Sequence, residues 1–417
     1  MQTNQTSRHQ NQSCLSRYSL AVAVLAVLQA PLSQPLSAGT EITKQNFQLA
    51  PQQAPQNSPT VAGQTMDTPK IQLAIILDTS NSMDGLIDQT RNQLWQVVNQ
   101  FSTARQNGIS PILEIALFEY GNDSNAESAG FVRMFSQFTR ELDQVSAGLF
   151  SLTTNGGSEY CGYAIETVVN KLQWSRSDSD IKTIFIAGNE SFAQGPVSFH
   201  EAVRLAGQQG ITVNTIHAGS HQEGINDGWQ TAAVLAGGDY MSIDADQQVV
   251  HVVAPQDARI AELNAELNQT YVPYGSKGAE NAQRQMEQDE LSSDISAGLL
   301  SQRAVSKSSS FYNNANWDLV DALNEGEVDE KELVVIEDTQ LPEPMQGLSA
   351  QQKVDYVQEK ATQRKIIKQE ISALSRLRAA FVAEAKREQV AASPSVSDAL
   401  TSAVKKQARQ KNFVFAK

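Results

Sequence analysis

From Lys70 to about residue 245, short apolar runs alternate with longer stretches in which apolar residues recur every three or four positions. The runs "IQLAIILD" (71–78), "ILEIALFEY" (112–120), "FVRMFSQF" (131–138), "IKTIFIAG" (181–188), "ITVNTIHAG" (211–219) and "DYMSID" (239–244) predict strands. Helical spacing predicts helices near 84–105, 140–150, 158–174, 197–209 and 225–236, with Gly108, Gly210 and Gly237 as left-handed ends. Continuous apolar strands separated by helices imply a mostly parallel sheet covered on both faces. Only the connection from 112–120 to 131–138 lacks a helix, which makes 131–138 an antiparallel edge. The expected fold class is α/β: a doubly wound, mostly parallel six-stranded sheet in the order third, second, first, fourth, fifth, sixth, followed by a mainly helical C-terminal region.

Beyond residue 250 the pattern changes. "APQDARIAELNAEL" reads as a helix, then polar sequence runs to about 310, and residues 325–343 carry eight acids and one lysine. A long helix is expected from about 349 to 389. Val357, Ile367, Ile371, Leu374 and Phe381 fall mostly three, four or seven apart, with Arg364 and Arg378 in the same stripe, an imperfect coiled-coil pattern. "SPSVSDALTSAVKKQARQ" predicts a last short helix capped by Ser395 or Ser397. The expected divisions are 1–38, 39–69, 70–250, 251–348 (a helix plus polar and acidic linker) and 349–417 (helical, coiled-coil-like).

The N-terminal segment reads as an export signal. Arg8 and Arg17 precede the apolar core "LAVAVLAVL" with no acid among them, and small residues around Ala30 and Ala38 offer cleavage points. The core is too short to span a bilayer, which takes roughly 20 residues. Residues 39–69, rich in Gln, Pro, Ser and Thr, read as a disordered leader. The exported chain would be periplasmic or secreted, with no integral membrane span. Cleavage would take the formal charge from −14 to −16 and leave Cys161 as the sole cysteine, with no internal disulfide. Residues 351–417 carry 14 Lys or Arg and six acids, so the rest is strongly acidic. That asymmetry points to a tail folded back on acidic sequence, with no nucleic-acid partner.

The chemistry concentrates in "LDTSNSMDG" (77–85), where the first strand runs out. In an open parallel sheet, ligands bind beyond the carboxyl ends of the strands. Asp78, Ser80 and Ser82 stand at alternate positions there. A carboxylate with neutral hydroxyls suits a hard divalent cation. The competing reading is that a serine caps the following helix.

Asp-x-Ser-x-Ser after a buried strand resembles the metal-ion-dependent adhesion site of von Willebrand factor type A (VWA) domains, over about 70–245. The resemblance implies Asp78, Ser80 and Ser82 as ligands of a divalent cation, Mg²⁺ first and Mn²⁺ or Ca²⁺ as substitutes. It implies a threonine from "LTTNGGSEYCG" (152–162), Thr154 by preference, with Thr153 and Ser158 as alternatives. The family's third element is an aspartate after the fourth strand, where this chain has Gly188 in "IAGNE". Glu190 is the expected substitute, with Asn189 and Glu119 supplementary. Asp123 and Glu159 are further loop acids at that edge. An aspartate restored at 188 is expected to tighten the cation, and loss of Glu190 to weaken it. "TNGGSEYCG" and "FIAGNE" together resemble an exported bacterial subgroup. The implied function is non-enzymatic: a protein ligand offers a carboxylate to the cation in adhesion or envelope assembly. The alternatives are a scaffold acting through the C-terminal helices with a degenerate site, and an enzyme using Cys161 with His217.

Overall fold

The computed structural model describes residues 68–244, 252–387 and 396–415. The export segment 1–38 and nearly all of the leader 39–69 lie outside the described residues, as does Ser395. The first part of the chain runs β1 (Lys70–Asp78), α1 (Asp84–Phe101), β2 (Ala104–Gln106), β3 (Ile112–Tyr120), β4 (Arg133–Thr139), α2 (Leu142–Phe150), α3 (Cys161–Lys171), β5 (Ile181–Gly188), α4 (Phe199–Gln208), β6 (Thr212–Ala218), α5 (His221–Asn226), α6 (Trp229–Leu235) and β7 (Tyr240–Ile243). Six strands form one sheet in the order β4-β3-β1-β5-β6-β7, all parallel except the β3–β4 pair. This is the order and the antiparallel edge that the apolar pattern predicts.

Strand β1 is buried on both faces because alternate side chains enter separate cores. Ile71, Leu73, Ile75 and Leu77 point to the α1–α2 side. Ala74 and Ile76 point to the α3–α4–α6 side. The register sets Asp78 opposite Tyr120 on β3 and Leu77 opposite Ala187 on β5. One residue further, Asp78, Tyr120 and Gly188 stand in a row across the carboxyl edge of three adjacent strands.

The remaining elements are α7 (Asp257–Asn268), α8 (Gly278–Ile295), α9 (Ala297–Ser308), α10 (Leu319–Glu325), α11 (Glu330–Val335), α12 (Ala350–Arg387), α13 (Val396–Gln410) and β8 (Phe413–Phe415). Helix α12 turns one stripe inward: after Lys353 and Val354 in its first turn, the buried residues Val357, Arg364, Ile371 and Arg378 recur every seventh position. The two arginines meet acids: Arg364 pairs with Asp318 at 2.6 Å and Asp321 at 2.8 Å, and Arg378 with Asp257 at 2.5 Å. The basic tail is thus folded back on acidic sequence, with the contacts buried. Helix α13 lies on α1 and on β5 and β6, and β8 pairs antiparallel with β2.

Three local readings are corrected. Residues 278–308 form helices α8 and α9 where polar sequence without periodicity predicts a linker. Gly228, at φ 92°, splits the helix expected over 225–236. Gly108 lies in the turn after β2 and does not end α1.

Candidate functional site

The loop after β1 is stitched to the loop before α3. Asn81 N–H donates to the Gly156 carbonyl at 3.1 Å, and Asn155 N–H donates to the Thr79 carbonyl at 3.0 Å. Met83 stands at the N-cap position before α1, and no side chain caps that end. Neither Ser80 nor Ser82 is spent on capping, so that competing reading fails. Their hydroxyls stand 3.5 Å apart, and Asn189 Nδ2 donates to Ser82 Oγ at 3.1 Å.

Asp78 is fully buried. Its Oδ1 accepts the Ser80 N–H at 2.8 Å. Its Oδ2 accepts no hydrogen bond. The carboxylate is lodged between two glycines. A Cβ on Gly121 would meet Asp78 Oδ1 at 2.5 Å, and one on Gly188 would meet Asp78 Oδ2 at 2.9 Å. Gly121 also has φ +80°, which a residue with a side chain rarely adopts.

The carboxylate that faces Asp78 belongs to Glu159. It is buried and lies beside Asp78 against Gly121, where a Cβ would meet Asp78 Oδ1 at 2.5 Å and Glu159 Cγ at 3.1 Å, and its Oε2 also lacks a partner. Among the described residues, no lysine or arginine pairs with either. Glu190, expected as the substitute acid, is exposed; its backbone carbonyl accepts Trp229 Nε1 at 2.8 Å, and its carboxylate makes no hydrogen bond among the described residues but adds a small charge repulsion to Asp78 and Glu159. Glu119 is buried but spent elsewhere, paired with Arg133 at 2.7 Å and accepting from Asn125 at 2.9 Å.

The other expected residues are distributed as follows. Thr154 donates to Asp84 Oδ1 at 2.9 Å, at the rim of the same loop. Thr153 is exposed, and Ser158 forms a short bridge with Gly121. Asn189 sits over Ser82 and leaves its own Oδ1 buried without a partner. Asp123 is exposed.

Gly188 explains why the third aspartate is missing. A Cβ there would stand 2.2 Å from the hydroxyl of Tyr120, a fully buried residue. That hydroxyl donates to the Ala187 carbonyl at 3.3 Å and accepts the Cys161 thiol at 3.5 Å. Tyr120 therefore occupies the space that an aspartate at 188 would need. Restoring the aspartate would overpack this point, at a cost of about 1–3 kcal/mol, and the expectation that it tightens a cation is withdrawn.

Cys161 opens α3 but is buried, and burial pushes its thiol far above the ordinary range. A reactive thiol needs the reverse shift. His217 does not touch it. The two ring nitrogens of His217 contact the Ser220 carbonyl at 3.2 Å and the Asn189 carbonyl at 3.0 Å.

Burial pushes Asp78 up to about 6, against the lowering contacts with Glu159 and Ser80. Burial, then the Asp78 charge, pushes Glu159 up to about 9. A raised carboxyl means that the folded chain holds a proton that the unfolded chain releases. That stabilisation is present in full below the unfolded values of 3.8 and 4.5 and is lost as pH rises through about 6 and about 9. In chelator, the urea midpoint is expected to fall as pH rises from 5 to 9, and Glu159→Gln to flatten most of that slope. An equal slope in Glu159→Gln would contradict the pairing.

The model of the von Willebrand factor type A domain matches residues 72–226. No curated protein matches the chain. Among solved structures, proximal thread matrix protein 1 from the mussel byssus, with a zinc-occupied MIDAS motif, is 12% identical over 43% of this chain and 43% of its own, with a TM-score of 0.34. This chain thus spans less than half of the mussel protein. BatB from Bacteroides thetaiotaomicron is 14% identical over 42% of this chain and 90% of its own, with a TM-score of 0.32. The SpRpn10 VWA domain is 13% identical over 44% of this chain and 100% of its own, with a TM-score of 0.29. With the matched segment running from β1 to α5 and the sheet order described above, residues 72–226 are a von Willebrand factor type A domain.

Proposed function

We propose that this chain is an exported, non-enzymatic protein-binding module whose VWA domain holds a divalent cation at the carboxyl edge of its sheet. The observation that carries the reading is the pair of buried carboxylates, Asp78 and Glu159, each with an oxygen that has no partner. Two acids in contact without a base call for a proton or a cation between them. The donor set is all oxygen, which suits Mg²⁺, with Mn²⁺ or Ca²⁺ as substitutes. Asp78, Ser80 and Ser82 would hold the ion, Glu159 would supply the charge that Gly188 lacks, and Thr154 and Asn189 would complete the rim. The ion would supply an electrophilic centre that a carboxylate from a protein partner can reach, because Ser82 is exposed while Asp78 is covered.

The N-terminal export pattern supports a periplasmic or secreted location, and among the described residues no helix is long and apolar enough to cross a membrane. A scaffold reading is favoured by one feature: α12 leaves Ile366, Leu377 and Phe381 exposed. The test is capture from envelope extract on the immobilised chain. Capture that needs Mg²⁺ and is lost in EDTA and in Asp78→Ala supports the cation reading. Capture that survives both but is lost in a Leu377→Asp/Phe381→Asp variant transfers the function to α12.

A further inference from the structure

Away from the sheet edge, a trough of about 700 Å³ runs along α12 where that helix meets α10 and the end of α9. That is the size of a small-molecule site. Its walls are basic in a chain whose formal charge is −14. Arg364, Lys365, Lys368 and Arg376 line it, against a single acid, Asp321. That acid shares Arg364 with Asp318: the guanidinium donates to Asp321 at 2.8 Å and to Asp318 at 2.6 Å. Four cations, Arg364, Lys365, Lys368 and Arg376, thus stand against two carboxylates, Asp318 and Asp321, and leave the trough with a net positive charge. Among the described residues, none of Lys365, Lys368 and Arg376 makes a hydrogen bond or ion pair.

Lys368 is the most telling of them. Its side chain is half-buried, and burial pushes the amine down from its ordinary value. The charges of Asp321 and Asp318 offset that burial only in part, and a partly buried ammonium without a direct ion pair is costly to keep. The neutral groups around it also have unused capacity. The side chains of Asn324, Gln369 and Ser372 line the trough and make no hydrogen bond among the described residues. Val320 and Ala361 give it an apolar patch. Along α12, Lys365, Lys368 and Arg376 are three and eight residues apart, so the cations span about 16 Å of helix at the usual rise.

We propose that this trough binds an elongated small molecule carrying at least two anionic groups, phosphate or carboxylate, one held by Lys365 and Lys368 and another toward Arg376. The ligand charge would supply the missing counter-ions, and the amides of Asn324 and Gln369 would fix its orientation. This site shares no residue with the cation site, so each can fail without the other.

The test is calorimetric titration of the full chain at low ionic strength, with tripolyphosphate and citrate as probes. Saturable binding of one or both is expected, and the tighter probe identifies a phosphorylated or a carboxylated source. Lys368→Gln is expected to weaken binding at least tenfold, with smaller losses in Lys365→Gln and Arg376→Gln. Lys360→Gln, on the same helix but outside the trough, is expected to leave binding unchanged. The proposal is overturned if neither probe binds saturably, or if Lys360→Gln weakens binding as much as Lys368→Gln. Lys368→Met is a second check that does not depend on a destabilised fold. The loss of an unpaired buried charge is expected to hold or raise the thermal midpoint while binding is lost, and retained binding would overturn the assignment.

Discussion

A chain ending at residue 387 is expected to lose the cooperative unfolding transition of the VWA sheet. Helix α13 comes from the far end of the sequence, yet it covers the same sheet face as α1. Val396, Leu400, Val404 and, on β8, Phe413 are all buried in the core that contains Ile71, Leu73 and Trp95. Each such side chain contributes about 1.5–3 kcal/mol when buried, so the four together contribute on the order of 6–12 kcal/mol by the same rule. That is comparable with the whole net stability of a domain, about 5–15 kcal/mol. The truncated chain should show a broad urea transition and bind a hydrophobic dye before denaturant is added. An unchanged midpoint and slope would mean that α13 is dispensable and that the sheet is covered without it.

Arg303→Ala is expected to destabilise the full chain by about 3–5 kcal/mol, the usual result of stripping one partner from a buried ion pair. Arg303 is fully buried on α9. It donates to Asp289 on α8 and to Asp143 on α2, each at 2.5 Å, and its guanidinium lies 4.7 Å from the centre of the Trp95 ring on α1. Four helices therefore meet at one cation, and the C-terminal layer is fastened to the VWA domain there. Burial alone would raise Asp289, but Lys307 and Arg303 outweigh it and hold the carboxyl below its ordinary value. The alanine variant leaves Asp143 with Tyr312 alone and Asp289 with only Lys307 as a cation. Urea titration at neutral pH measures the loss, and Arg303→Met combined with Asp143→Asn should recover part of it, because that variant removes a charge on each side. A loss below about 1 kcal/mol would place these contacts among surface ion pairs in value.

The strands were legible because a strand buried on both faces is apolar at nearly every position, as "LAII" (73–76) is. Their order followed from alternation with helices. Helix α8 was illegible for the opposite reason. It buries Gln285, Gln288, Asp289 and Ser292, so its inward face looks like an outward one. The same holds for α12, where arginines occupy two of the four inward positions at seven-residue spacing. Strands β2 and β8 are three residues each and find one another across some 300 positions, which no local pattern records.

At the site, Asp78, Ser80 and Ser82 were legible because their spacing is local. Glu159 was visible only as one loop acid among several. What singles it out is a three-dimensional fit: Gly121 leaves room for it beside Asp78, and Tyr120 fills the space above Gly188. A glycine where a carboxylate is expected looks like a lost site in sequence. In space it is the complement of a tyrosine at the end of β3, reaching across β1, with the second carboxylate entering from the α3 side.

The most direct measurement is a calorimetric titration of Mn²⁺ and Mg²⁺ into the full chain and into Asp78→Ala, Glu159→Gln and Glu190→Gln. The account predicts one site in the parent, no binding in Asp78→Ala, at least tenfold weaker binding in Glu159→Gln, and nearly unchanged binding in Glu190→Gln. Binding that is unaltered in Asp78→Ala, or absent from the parent, would contradict it.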